Sequence, residues 1–331
     1  MNRREIMRLA AVAPLAALAD ASVFAARAQE DAKNYPSRVI RMIVGFAAGG
    51  GNDIFARLVG QKLQDAIGQP VVIENRPGAG GRVAAEFAAK QPADGYTLLV
   101  GAAGAMSIAP AIYPKLAYHP TRSLVPLTMI GSFPLVLVVP GKHAVRTVQE
   151  LVAFAKDHPG EANYATSAPG FTIAVELLKL KTSMPGQAIP YKSSNESVLS
   201  VLAGQTLLTI SDPPPAVPLI KSAQLRALAV TGAKRLAELP DVPSMAELGL
   251  PDVNVGLWSG LFAPLHTPAP IIDKLEAELR RAITAPDVQD KLKTMAVEPS
   301  GIPAAEFRRM IENDIKVYAD VVKAAKLEFP E

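Results

Sequence analysis

The 331-residue chain has no cysteine, one tryptophan and four histidines. The absence of thiols excludes disulfides, thiolate metal sites and cysteine nucleophiles. His119, His143, His158 and His266 fall singly, and no two stand at a metal-ligating spacing. The sequence has no G-x-S-x-G elbow and no Walker loop. Gly49-Gly50-Gly51 lacks the order of a dinucleotide fingerprint, although Glu74 stands near where a ribose-binding acid would fall. With no activated nucleophile, metal cluster or cofactor motif, the chain is not expected to be an enzyme or to need a metal or cofactor.

Strong charge of one sign is also lacking. Residues 1–28 contain four arginines and two acids; taking them from totals of 34 and 31 leaves 30 basic and 29 acidic residues. The remainder is near neutral, which argues against a nucleic-acid partner. The segment itself reads as an export signal. Arg3, Arg4 and Arg8 form a basic start, a run of small apolar residues follows, and Ala26-Arg27-Ala28 fits a cleavage site. Residues 2–7 are also close to a twin-arginine signal. No other stretch is long and apolar enough to span a bilayer.

The rest of the chain is organised around residues 39–53. Residues 39–46 are a β-branched, apolar run, read as a strand buried on both faces. Ala47, Ala48, Gly49, Gly50 and Gly51 make a small-residue turn. Ile54, Phe55, Leu58, Val59, Leu63 and Ile67 then repeat at helical spacing, with Asn52 or Asp53 as the cap and Gly68 as the stop. Strand, turn and helix together offer backbone N–H groups and a positive helix end to an anion. Gly50 is expected at positive φ, where valine would strain the turn. Arg57 lies beyond the first helical turn and is expected to face solvent.

Similar βα units follow. Strands at 71–73 and 96–100 each run into a glycine-rich loop, a pattern that predicts a parallel sheet with ligands at the strands' carboxyl ends. The rhythm restarts after about residue 138. Thr147 with Glu150, and Ser193 with Glu196, are capping boxes. Asp94 and Asp212 read as turn residues, and Trp258 as a hinge or core residue. Residues 255–262 form an extended segment crossing back to the first half, and helices at 271–283, 288–295 and 307–325 complete the chain.

Several stretches resemble the Bug family of periplasmic solute-binding proteins of tripartite tricarboxylate transporters. They are Tyr35-Pro36-Ser37-Arg38, Gly49-Gly50 with Asp53 and Arg57, residues 72–81 and 94–99, Pro190-Tyr191-Lys192, residues 225–231 and 240–244, and residues 260–264. The resemblance implies a type II periplasmic-binding fold, with two α/β lobes, two crossovers and a central cleft. Lobe 1 would comprise 29–137 and 260–331, and lobe 2 would comprise 138–259. It implies a periplasmic monomer that binds a dicarboxylate, amino acid or aromatic acid and feeds a transporter's membrane subunits; a ligand sensor of the same fold is the alternative. By position, the ligand would meet Phe46, Ala47, Ala48, Gly49, Gly50, Asn52, Asp53, Ala103 and Gly104 of the first lobe. Ser167, Ala168, Ser211 and Asp212 would face them from the second. The second-lobe loops depart from the family's usual pattern: Ser167 to Gly170 is short with no histidine after it, and Leu207 replaces a common aspartate. Which carboxylate binds is therefore left open by the sequence.

Overall fold

A computed structural model describes residues 34–325. The export signal expected at 1–28 lies outside the described residues. Among the described residues no helix is long and apolar enough to cross a membrane.

The first sheet begins with β1 (Ile40–Val44), whose apolar side chains are almost all buried. Helix α1 (Gly51–Ile67) follows the turn and ends at Gly68, which adopts the left-handed conformation and donates its N–H to the Gln64 carbonyl. Strand β2 (Val71–Asn75), helix α2 (Arg82–Ala89) and strand β3 (Thr97–Ala102) repeat the unit. A π-turn at Gly104–Ile108 leads into the short α3 (Ala109–Ile112). Strands β1, β2 and β3 are parallel.

The 11-residue β4 (Leu124–Pro134) then crosses the sheet, and β5 (Val136–Pro140) opens a second one. Val136 and Val138 pack into one apolar cluster while Leu137 and Val139 pack into another, so β5 is buried on both faces. The second sheet is completed by α4 (Val148–Asp157), β6 (Tyr164–Thr166), α5 (Pro169–Thr182), β7 (Ala188–Pro190), α6 (Ser194–Leu202), β8 (Leu208–Ser211), α7 (Pro213–Lys221) and β9 (Leu225–Val230). Both capping boxes form: Thr147 accepts from the Glu150 N–H and Ser193 from the Glu196 N–H.

Strand β10 (Gly256–Pro264) returns to the first sheet between β3 and β4, antiparallel to both. Helices α8 (Ala269–Thr284) and α9 (Pro286–Thr294), strand β11 (Glu298–Pro299) and helix α10 (Ala304–Ala325) follow, with α8 and α10 packed on β4. The sheet orders are β11-β4-β10-β3-β1-β2 and β7-β6-β8-β5-β9. Both sheets are mixed rather than parallel. Of the strands that carry the chain between them, β10 runs against the βα strands of the first sheet and β5 against those of the second, whereas β4, antiparallel to β10, runs with β1, β2 and β3. The boundaries expected at 137/138 and 259/260 each fall inside a strand. The chain passes from the first sheet to the second at Leu135 and returns before Gly256.

Thr231 ties the two crossovers together. Its hydroxyl accepts from the Leu135 N–H at 2.8 Å and donates to the Val255 carbonyl at 2.6 Å, fully buried. Thr231→Val keeps the shape but leaves both backbone groups without that partner, so a loss of about 2 kcal/mol in stability is expected. Urea unfolding checks this; a change below about 0.5 kcal/mol, the range of an ordinary surface substitution, would show that the staple is dispensable.

Candidate functional site

The turn at residues 45–50 is held by Asp53. Its carboxylate, 2 % exposed, accepts from the Gly49 N–H at 3.0 Å, from Asn75 Nδ2 at 2.9 Å, and from Nε and Nη2 of Arg57, both at 2.9 Å. Asn75 also donates to the Phe46 carbonyl at 3.0 Å, closing a loop of bonds around the turn. Burial pushes the Asp53 carboxyl up, but the bonds from Arg57, Gly49 and Asn75 outweigh it and hold the group below its ordinary value.

These bonds revise three expectations. The N-cap is Gly50, without a side-chain cap, and Asp53 reaches back from the third helical position to the residue before it. Asn52 accepts from the Ser259 hydroxyl at 2.8 Å, which fastens α1 to β10. The Arg57 side chain is 56 % exposed, yet it grips Asp53 with two nitrogens. The positive φ also falls elsewhere: Gly49 has φ +84°, whereas Gly50 is extended at φ −75° and ψ 164°.

The second lobe closes on this turn. The Ala47 N–H donates to the Lys192 carbonyl at 3.2 Å. Gly49 lies against Asn195, and Gly50 against Ser193 and Ser194, at the start of α6. Gly104 lies against Ala168, at the start of α5. Ser167 is 9 % exposed, and its hydroxyl has no hydrogen-bond partner among the described residues. Asp212 precedes α7 and is 1 % exposed. Its carboxylate accepts from the Ser211 hydroxyl at 3.1 Å, and its Oδ2 lies against the Gly51 backbone. The start of α1 thus meets the starts of α6 and α7, while the Gly104 turn meets the start of α5, a concentration of positive helix ends along one seam.

Twelve of the thirteen residues expected at the site are buried or half-buried, the exception being Ala48. They do not all point into one space. Ala103 is core, and Asp53 and Asn52 are structural supports of the turn. Trp258 is also core, packed on Phe262 and Phe307 with its indole N–H on Asp314. Gly51, Asn75, Lys192, Ser193, Ser194 and Asn195 belong to the seam as well. The Ser193 capping box was the one sign of this, because it marks a second helix start. A separate cavity of about 760 Å³ opens beside the crossovers, between Phe133, Leu257, Trp258 and Tyr318, away from the seam.

Residues 55–327 match the tripartite tricarboxylate transporter family receptor. Protein BugT of Bordetella pertussis is 36 % identical over 302 residues, covering 90 % of this chain and 93 % of that one. Among solved structures, MatC from Rhodopseudomonas palustris with bound malate is 30 % identical with a TM-score of 0.83, over 87 % of this chain and 100 % of that one. R. palustris Rpa4515 with adipate is 32 % identical with a TM-score of 0.85, over 89 % and 99 %. These matches are to receptors rather than enzymes, and their two-lobe fold is the one described above. Matched over most of its length, the chain belongs to the tripartite tricarboxylate transporter receptor family.

Proposed function

We propose that the protein is a periplasmic receptor that binds a small carboxylate between its lobes and delivers it to the membrane subunits of a tripartite tricarboxylate transporter. The observation that carries this reading is the seam itself. A carboxylate, that of Asp212, already sits there against Gly51 at the start of α1, with the Ser211 hydroxyl donating to it. Arg57, among the described residues the one cationic side chain bonded to the turn, is taken up by Asp53. A ligand carboxylate is therefore held by backbone N–H groups of residues 46–53, with Ser167 and the start of α6 completing its shell. The bound malate and adipate of two relatives fit a dicarboxylate. Lobe 1, on the first sheet, and lobe 2, on the second, open about the crossovers at Leu135 and Val255 to admit it.

A thermal-shift screen of malate, adipate, amino acids and aromatic acids tests this. A ligand at 100 times its dissociation constant is expected to stabilise the protein by about 2.7 kcal/mol. Solution scattering should then show a more compact particle with ligand than without. A protein that no carboxylate stabilises would refute the reading.

A further inference from the structure

We propose that Asp212 is a selectivity residue that competes with the ligand: its carboxylate occupies the anion position at the start of α1, and a ligand carboxylate must displace it. This role rests on the turn at residues 46–53 holding the ligand's carboxylate, as proposed above.

The geometry is close. A Cβ built on Gly51 would lie 2.0 Å from Asp212 Oδ2, so the carboxylate fills the space in front of the first helical residue. Gly51 and Asn52 carry N–H groups that a helix leaves without internal acceptors, and a carboxylate of the chain itself already lies against the first of these residues. A second anion on the same donors would face it directly. The second lobe takes another donor of the turn, because the Ala47 N–H is bonded to the Lys192 carbonyl.

Around Asp212 stand the Gly51 backbone and the hydroxyls of Ser194 and Ser211, the last donating to it at 3.1 Å, and among the described residues no cationic side chain is bonded to it. Burial outweighs these donors and pushes the Asp212 carboxyl above its ordinary value. The ionised group is therefore held there at a cost. Removing its charge relieves that cost and the repulsion of an incoming carboxylate, and removing the side chain also vacates the position. Asp212 thereby raises the threshold that a ligand must exceed, excluding weak monocarboxylates in favour of ligands with further contacts to the second lobe.

Calorimetric titration of the exported protein and of Asp212→Asn with malate and with adipate is the test. Asp212→Asn is expected to bind at least one of them tenfold or more tightly, about 1.4 kcal/mol. Asp212→Ala, which takes the side chain away from Gly51, should show the same gain and serves if the asparagine variant fails to fold. Equal, weaker or undetectable binding by the folded variant overturns the proposal. Gly49→Val separates this from failure of the turn reading. If Gly49→Val weakens binding while Asp212→Asn brings no gain, the turn stands and the competition is wrong. If Asp212→Asn gains but Gly49→Val changes nothing in that background, the gain arises away from the turn and both readings fall.

Discussion

Asp53→Ala is expected to lower stability by about 3 kcal/mol, the effect of losing several charge-assisted hydrogen bonds at once. Four donors converge on this carboxylate, and two of them, the Gly49 N–H and the Asn75 amide, fix the turn. The exposed Arg57 rehydrates when its partner goes, which keeps the cost below that of stranding a buried charge. Asp53→Asn keeps the shape and loses the charge assistance, so it should cost about half as much. The pH dependence has a definite sign. The folded pKa of Asp53 is lowered, so its contribution is fully present above the ordinary aspartate value and is lost as pH falls through the lower folded value. Asp212, raised by burial, works in the opposite direction. Its protonated form favours the folded state at low pH, and that contribution is lost as pH rises through its folded value. Unfolding of Asp53→Ala across pH 3–7 should show the difference from wild type shrinking at the acid end. A difference that stays constant would mean that the lost stability is packing rather than charge.

Legibility in the sequence follows the range of the interaction. The strand, turn and helix at residues 40–67 and both capping boxes depend on residues a few positions apart, and all form where their chemistry places them. Strand β4 is less legible, because Pro126, Gly131 and Pro134 interrupt its pattern. It is a strand because β10 and β11 pair with it on either side, and those partners lie more than a hundred residues away. Helix α7 begins with three prolines, which carry no helical periodicity although proline is well suited to a helix's first turn. The site shows the same division. Residues 46–53 signal an anion turn by themselves, whereas the pairing of Asp212 with Gly51 joins residues on different lobes. Which glycine takes the positive φ was also beyond reach, since three in a row satisfy the turn equally until Asp53 claims the Gly49 N–H.

Gly49→Val is expected to weaken carboxylate binding about a hundredfold, or ~2.7 kcal/mol, in a protein that still folds. Gly49 sits at φ +84°, which a β-branched residue adopts only under strain, and a Cβ there would lie 3.3 Å from Asn195 Nδ2. Valine would therefore turn the backbone, pull the Gly49 N–H away from Asp53 and re-aim the N–H groups that follow. Charge-assisted hydrogen bonds contribute roughly 1.5–3 kcal/mol each when buried, so losing one or two accounts for the expected factor. The fold survives because β1 and α1 are each buried against their own neighbours on either side of the turn. Gly50→Val is the contrasting variant. Its extended backbone accepts valine, and the new side chain meets Ser194 Oγ at 3.3 Å and Ser193 Cβ at 3.4 Å, so its effect falls on lobe closure and should be smaller. Arg57→Ala should also cost less than Gly49→Val, because Asp53 keeps its bonds from Gly49 and Asn75. Titration of the three variants with one confirmed ligand gives the order. If Arg57→Ala abolished binding and Gly49→Val left it intact, a cationic side chain rather than the backbone would hold the ligand's carboxylate.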